Sequence, residues 1–184
     1  LDALEMLRIE AGLLLLDVDF SSSRYGWTDE DRSTLFELGL GWMVRDLAND
    51  DRPFIGRRAL ERELANGTSR WRMTGLVLDW QDYDRIYTRA GLIPPKDHTP
   101  VLEELFVYDE DIRQVGYATS FMYSPMLQRH IALARVPPDL AKAGPSIRLA
   151  VAVNHHPPHV KATTPPPPPP TPPRNPPQPH RAAS

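Results

Sequence analysis

Arg8 and Glu10 are the charged pair in this sequence whose types best suit the binding of a polar or anionic ligand. A guanidinium binds a carboxylate through paired, charge-assisted hydrogen bonds, and a carboxylate accepts from amino groups. The two residues lie two positions apart on a predicted helix, so their side chains point to different faces. Arg8 could instead form a structural ion pair with Glu5 or Glu37, because a buried arginine needs a carboxylate partner. We favour the structural ion pair, and the ligand-binding interpretation stays open.

Two other sets of residues have the types needed for catalysis or for calcium binding, but they lack the required sequence pattern. The residue types of a catalytic triad occur as Ser120, Ser124, His130 and Asp139. No nucleophile elbow accompanies them, so acyl transfer is not expected. The Asp17-Val-Asp19 start of a calcium loop also fails, because Ser22 and Thr28 stand where the loop needs Gly and Glu.

Three further patterns favour structural roles over chemical ones. The Gly-Leu-Gly of residues 39–41 lacks the third glycine of a dinucleotide fingerprint, so tight packing beside Trp42 explains it better. The three histidines of residues 155–159 have no helix to fix their spacing, so no metal site is expected there. Trp71 and Trp80 are predicted to close a protein core and not to stack on a flat ligand.

Composition and charge narrow the function classes. The 184 residues carry 21 Lys and Arg against 24 Asp and Glu, a formal net charge of −3. The C-terminal segment 157–184 holds Lys161, Arg174, Arg181 and no acid, so the rest is more acidic still and poorly suited to nucleic acid. There is no cysteine, which removes disulfides and thiolate catalysis. No apolar run reaches the ~18–20 residues that a membrane span needs.

The elements predicted to position these residues begin with an N-terminal part. Leucines at helical spacing predict a helix that ends at Gly12. A short apolar run over residues 13–18 predicts a buried strand, and residues 20–33 predict a surface loop. A second helix is predicted over residues 56–65, ended by Gly67. Its inward side chains are expected to be Ile55, Ala59, Leu60 and Leu64.

After Gly67 the pattern changes to short strands separated by turns, which predicts a small antiparallel barrel or sandwich. The candidate strands are residues 71–80, 101–107, 114–120, 130–136 and 147–153. Nearly half of the segment 157–184 is proline, which predicts an extended, disordered tail. The sequence therefore predicts three parts: an N-terminal part at residues 1–66, a barrel domain at residues 67–156 and a tail at residues 157–184.

Four phrases in order carry a resemblance to a known family. They are LRIEAG at residues 7–12, FELGLGW at 36–42, FIGRRAL at 54–60 and YSPML at 123–127. Together they resemble the C-terminal half of the folate-dependent aminomethyltransferases. That family includes the T-protein of the glycine cleavage system and the C-terminal regions of dimethylglycine and sarcosine dehydrogenases.

The resemblance implies an α+β fold, with a partial folate-binding aminomethyltransferase module followed by a small antiparallel β-barrel. It implies transfer of a one-carbon unit from an aminomethyl donor to tetrahydrofolate. The implied partners are a small amine donor, folate, and a flavin oxidoreductase or lipoyl carrier protein. The expected location of the protein is the cytoplasm. The family's catalytic acid and the Glu that holds the pterin would lie upstream of Leu1. The chain would then be the back half of an enzyme and hold no catalytic residue.

The resemblance also implies which residues approach folate. The family helix has two arginines, of which the first corresponds to Leu4 and the second to Arg8. The family's Glu is retained as Glu10, and Tyr123 lies in a region that approaches the folate tail. Arg8, Glu10 and Tyr123 are thus the predicted cofactor-binding residues. Leu4 argues against a strict T-protein, because it cannot make the charge-assisted contact of the first arginine.

The C-terminus departs from the family pattern. Family members end in a closing segment with an aromatic-Asn-Pro sequence, where this chain has the proline-rich residues 157–177. We therefore expect a barrel without its closing strand and with an open edge. A reading-frame error or a degenerate C-terminus is favoured over a ligand for SH3-type domains. The alternatives to a transferase are a non-catalytic folate-binding or scaffold protein and an inactive gene fragment.

Overall fold

The computed structural model describes residues 2–22, 24–28, 31–44, 47, 53–153 and 157–165. Three helices are present in these ranges: α1 (Asp2–Ala11), α2 (Arg57–Asn66) and α3 (Trp80–Arg89), with a short 3-10 helix at Gly41–Val44. The strands are β1 (Arg72–Leu78), β2 (Leu105–Tyr108), β3 (Gln114–Ser124), β4 (Arg129–Val136), β5 (Ser146–Ala150) and β6 (His159–Thr163). The predicted α+β class is confirmed.

The six strands form a closed barrel in the order β1-β4-β3-β2-β5-β6, and every neighbouring pair is antiparallel. Its interior is filled by small and branched apolar side chains that are almost fully buried, because alternate residues of each strand point inward. The interior set includes Leu76, Val107, Ala134, Ile147, Leu149 and Val160. Helix α3 contributes Tyr83 and Tyr87 to the same core.

The strand β6 closes the barrel and corrects two expectations. It pairs with β5 over its whole length and with β1 through Val77 and Leu78. The barrel therefore has no open edge at this position, and the tail does not begin at residue 157. The high proline content averaged over the segment 157–184 concealed a proline-free stretch, His159–Thr163, whose residues can all donate to a ladder. Within it Val160 and Ala162 point inward in the alternating pattern of a strand. The predicted tail from residue 166 onward lies outside the described residues.

The helix α3 was not predicted from the sequence, because the predicted strand over residues 71–80 wrongly included its first residue. Asp79 caps it, since its side chain accepts a hydrogen bond from the backbone N–H of Asp82 at 3.1 Å. Asp82 in turn accepts from the backbone N–H of Lys161 at 2.9 Å. These contacts fix α3 beside β6, and Trp80 packs on the barrel core as expected.

The N-terminal part differs from prediction in its packing. Helix α2 and its left-handed Gly67 cap are confirmed. However, α2 has no buried residue, and Ile55 and Leu64 are exposed, so the predicted inward face is wrong. Residues 13–18 form no strand: there is one isolated bridge from Leu16 to Phe20, and the left-handed Asp17 turns the chain.

Candidate functional site

A buried polar network joins α1 to the outer face of β3, and Arg8 is at its centre. The Arg8 guanidinium donates from Nε to Glu5 at 2.5 Å, from Nη1 to Asp19 at 2.7 Å and from Nη2 to the Ser120 hydroxyl at 2.9 Å. Arg8 is only 7% exposed. The ion pair with Glu5 is the structural interpretation that the sequence favoured, since residues three apart on a helix are neighbours.

Asp19 is the residue of this network that sequence reasoning missed. Its carboxylate is buried and accepts hydrogen bonds from Arg8, from the backbone N–H of Leu15 at 2.8 Å, and from Thr119 and Ser120 at 2.5 and 3.0 Å. A buried carboxylate with this many donors holds the loop before it against the barrel. The only sequence signal was the Asp17-Val-Asp19 pattern, which suggested a metal loop and not a buried anchor.

Glu10 makes a second link between α1 and β3. The Ser124 hydroxyl donates to Glu10 Oε1 at 2.6 Å and accepts from the backbone N–H of Leu127 at 3.0 Å. Because Ser120 and Ser124 are both on the α1 side of β3, the carboxylate of Glu10 and the guanidinium of Arg8 are anchored along one strand face. Arg8 and Glu10 are therefore each bonded to a serine of β3, and the two serines are four positions apart along the strand.

Tyr123 lies on the opposite face of β3 from these two residues. It is directly opposite His130 of β4, and its ring contacts the imidazole edge-on at a centroid distance of 5.1 Å. The ammonium of Lys96 lies 5.7 Å from the centre of the Tyr123 ring and 5.2 Å from that of Trp80. The structure thus anchors Arg8 and Glu10 on one face of β3 and places Tyr123 in a separate cluster on the other face.

His130 is buried among aromatic rings in that cluster. Its ring stacks on Trp80 and Phe121 at 5.9 and 5.5 Å, and Nε2 lies 3.1 Å from the carbonyl oxygen of Pro95. The pKa of His130 is lowered to about 4, chiefly by burial and also by the positive charge of Lys96, while the hydrogen bond to the Pro95 carbonyl opposes the shift. The imidazole is therefore neutral near pH 7, and its Nε2–H donates to Pro95.

The triad residue types do not form a catalytic constellation. Ser120 and Ser124 are held by Asp19 and Glu10 on the outer side of β3, whereas His130 points to the other side. Asp139 is on the surface, where Lys142 at 2.7 Å lowers the pKa of its carboxyl group. The described residues therefore contain no Ser-His-Asp arrangement among these four.

An open apolar groove of about 750 Å³ runs between the N-terminal part and the outside of β1 and β4. We call it the β1–β4 groove. Its lining includes Ile9, Phe20, Trp42, Gly75, Leu127 and Ile131. Glu10 is the charged residue on its wall. The arrangement suits an apolar occupant with few polar groups.

Two aromatic expectations are corrected by the geometry. Trp42 is 61% exposed, so it is not tightly packed, and the contact at Gly41 is with Phe36, whose ring would lie 3.0 Å from an added Cβ. Trp71 packs outside the barrel, where the guanidinium of Arg135 lies 3.7 Å from its ring centre.

Metal and membrane features are missing from the described part of the chain. No group of three or more His, Cys, Asp and Glu residues could hold a metal ion among the placed residues. His155 and His156 lie outside them. Of the helices that the structure describes, none has the length and apolar character to cross a bilayer.

Comparison with known proteins identifies the barrel. Residues 88–167 match the family model of the glycine cleavage T-protein C-terminal barrel domain. An aminomethyltransferase of Prochlorococcus marinus strain NATL1A is 35% identical over 158 residues, which cover 85% of this chain and 34% of that protein. One from a Synechocystis species is 35% identical over 151 residues, covering 82% of this chain and 32% of the relative. The chain thus spans about a third of the length of the curated relatives that it matches.

The fold agrees with this match. The crystal structure of glycine cleavage system aminomethyltransferase T from Bartonella henselae superposes with a TM-score of 0.63 at 19% identity. The superposition covers 88% of this chain and 36% of that protein. Residues 88–167 of this chain are therefore similar to the glycine cleavage T-protein C-terminal barrel domain, and the fold of the chain agrees with that similarity.

Proposed function

We propose that this chain acts as the C-terminal portion of a tetrahydrofolate-dependent aminomethyltransferase-like protein. In it, a one-carbon unit would pass from an aminomethyl donor to tetrahydrofolate. The described residues would wall and close the folate cavity and would not carry the proton transfer. Rigid placement of the two reactants would then be the main contribution of this part of the protein.

The observation that carries the proposal is the way α1 is clamped to the barrel. The Arg8–Asp19–Ser120 contacts fix one side of the N-terminal part on β3. The same N-terminal part exposes large apolar residues, among them Leu4, Leu7, Trp27, Phe54 and Ile55. Exposed apolar surface of this extent is typical of a face that packs on further protein. The remaining two thirds of the relatives' length supplies protein of the required size.

The three predicted cofactor-binding residues support folate binding in different ways. Arg8 directs its donors to Glu5, Asp19 and Ser120, so we assign it a positioning role. Glu10 positions the end of β3 through Ser124 and also lines the β1–β4 groove. Tyr123 stays the direct-contact candidate, because the neighbouring Lys96 supplies a cation for the carboxylates of the folate tail.

Binding of tetrahydrofolate to the purified chain by calorimetry tests this assignment. We expect Lys96→Ala to weaken binding about tenfold, the effect of losing one charge-assisted contact. Lys142→Ala is the matched control, since Lys142 is an exposed lysine paired with Asp139 on the surface. Equal affinity for both variants would remove the Tyr123 and Lys96 region from the site.

A turnover assay separates the enzyme from its alternatives. The purified chain, given an aminomethyl donor and tetrahydrofolate, is expected to show no one-carbon transfer. Turnover by the chain alone would overturn the proposal. Folate binding without turnover in any assembled form would favour the non-catalytic folate-binding or scaffold alternative. A chain that neither binds folate nor associates with a partner would favour the inactive fragment. A small-molecule amine donor, a flavin oxidoreductase or lipoyl carrier partner, and a cytoplasmic location belong to the same proposal.

A further inference from the structure

The ammonium of Lys96 lies against two aromatic rings of the barrel domain. Its nitrogen is 5.2 Å from the centre of the Trp80 ring and 5.7 Å from that of the Tyr123 ring, both inside the ~6 Å range of cation–π attraction. Among the described residues its side chain has no carboxylate partner, so the two rings are what hold the charge. We propose that this pair of rings binds the N-methylated ammonium group of a small ligand, and that Lys96 is a tethered occupant which the ligand displaces.

The two rings are held from behind by contacts that do not involve Lys96. Trp80 stacks on the imidazole of His130 at 5.9 Å, and Tyr123 meets the same imidazole edge-on at 5.1 Å. The Trp80 ring also lies 5.9 Å from that of the buried Tyr83. Both rings should therefore keep their positions when the lysine leaves, and a preformed site loses little entropy when a ligand binds.

The backbone on either side of Lys96 is also fixed independently of its side chain. The carbonyl of Pro95 accepts from His130 at 3.1 Å, and the carbonyl of Asp97 accepts from the backbone N–H of Tyr123 at 3.0 Å. Lys96 itself is exposed. Its side chain can therefore swing into solvent while the loop stays in place, and a small ligand can reach the rings from the same side.

The chemistry of the two rings selects the kind of cation. An aromatic face attracts positive charge but offers no strong hydrogen-bond acceptor. An ammonium with several N–H groups would leave its hydrogen bonds to water unreplaced, whereas an N-methylated ammonium makes none to lose. The neighbouring His130 adds no repulsion near pH 7, because burial lowers its pKa to about 4 and keeps the imidazole neutral.

This inference goes beyond the proposed function and does not rest on it, because the ligand is a cation and the folate tail is an anion. A lysine displaced from the rings can still pair with a carboxylate, so the two uses of Lys96 are compatible. Lys96→Ala has opposite expected effects on the two ligands: weaker binding of tetrahydrofolate and tighter binding of an N-methylated ammonium. Failure of one expectation therefore leaves the other standing.

Choline binding to the purified full chain tests the proposal, by calorimetry and by proton NMR of the choline N-methyl group. We expect Lys96→Ala to bind choline about tenfold more tightly than the unmodified chain, because a tethered competitor at millimolar effective concentration has been removed. The N-methyl signal should move upfield on binding, since protons above an aromatic face are shielded. Lys142→Ala is the matched control and should bind as the unmodified chain does, because Lys142 pairs with Asp139 on the surface.

A neutral analogue and a ring deletion make the test specific. In 3,3-dimethyl-1-butanol a carbon replaces the charged nitrogen of choline at the same shape, and it should bind Lys96→Ala about tenfold more weakly than choline. Adding Trp80→Leu to Lys96→Ala should remove the upfield shift. If this double variant does not fold, the comparison of the two ligands decides.

Three outcomes would overturn the proposal. One is equal affinity of Lys96→Ala and Lys142→Ala for choline. Another is equal affinity of Lys96→Ala for choline and its neutral analogue, which would show that positive charge is not recognised. The third is binding without an upfield shift of the N-methyl signal, which would place choline away from the rings.

Discussion

The barrel and the N-terminal part of the chain differ in how many of their large apolar residues they bury. In the barrel Val107, Ile147 and Leu149 are fully buried, whereas in the N-terminal part Trp27 and Ile55 are almost fully exposed. The barrel is held by strand ladders around an apolar core, whereas the N-terminal part is held by buried polar contacts and by a smaller apolar cluster around Ile9. The difference indicates that the barrel is a self-sufficient folding unit, while the N-terminal part is a positioned surface that further protein can cover.

The buried contacts of the N-terminal part are few but specific. Arg8 and Asp19 tie α1 and its following loop to β3. Glu37 ties the next segment to the start of β1, where it accepts from the backbone N–H groups of Thr34 and Arg70 at 3.1 and 3.0 Å. Because the contacts to β3 and β1 join positions far apart in sequence, breaking one should release the N-terminal part and leave the barrel intact.

Asp19→Ala is expected to have the largest effect. It leaves the buried Arg8 guanidinium with Glu5 as its remaining carboxylate partner, which costs up to about 3–5 kcal/mol. We expect the amide protons of α1 to lose protection from hydrogen exchange while those of β4 keep theirs. Asp17→Asn is the control, since Asp17 is exposed two residues away and asparagine tolerates its left-handed conformation. Equal loss of protection in α1 and β4 would show that the two regions fold as one unit.

Leu149→Ala should destabilise the barrel itself. It removes a fully buried side chain, which costs about 2–5 kcal/mol in the free energy of unfolding. Leu64→Ala, on the exposed side of α2, should change that free energy by less than about 0.5 kcal/mol. Denaturant unfolding of both variants measures the difference. A cost for Leu64→Ala above that of Leu149→Ala would contradict the contrast between the two parts.

His130 should make barrel stability depend on pH. Its folded pKa of about 4 lies below the unfolded value of about 6.5, so the folded state resists protonation. The stabilisation is complete above pH 6.5 and declines as pH falls towards 4, by at most about 3 kcal/mol. His130→Phe should reduce the loss of stability between pH 7 and pH 4.5. An unchanged pH dependence in that variant would show that His130 is not the group responsible.

Two glycines give the smallest pair of effects. Gly67 ends α2 in the left-handed conformation at φ 60°, so Gly67→Ala should cost about 1 kcal/mol. Gly75 is in an extended strand with open space around it, so Gly75→Ala should be neutral or stabilising by up to about 1 kcal/mol. The two variants are compared by thermal unfolding and by the hydrogen exchange rates of the α2 amides. A neutral or stabilising Gly67→Ala would refute the assignment of the Gly67 cap.

The sequence predicted local features better than distant ones. The alternation of strands β3 and β4 and the Gly67 helix end were readable because each depends on neighbouring residues. The Arg8 contact with Glu5 was foreseen from helical spacing, but its contact with Ser120 joins residues 112 positions apart and leaves no local signal. Strand β6 was missed because proline dominated its surroundings, and the inward face of α2 was predicted wrongly because amphipathicity does not say what covers it.

The placement of Tyr123 shows the same limit. Sequence order puts it three residues after Ser120, yet strand alternation sends its ring to the other face of β3 from Arg8 and Glu10. Family resemblance grouped the three residues, and only the fold shows that two clusters are involved. Whether both clusters serve folate is the question that the Lys96 and Lys142 variants address.

The most direct test of the central claim is a chimaera. The matched C-terminal third of the Synechocystis aminomethyltransferase would be replaced by this chain, and one-carbon transfer to tetrahydrofolate would be measured against the isolated chain. We predict turnover in the chimaera, none in the isolated chain, and slowed amide exchange in α2 once further protein covers it. A folded chimaera without turnover, whose α2 exchanges as fast as in the isolated chain, would contradict the account.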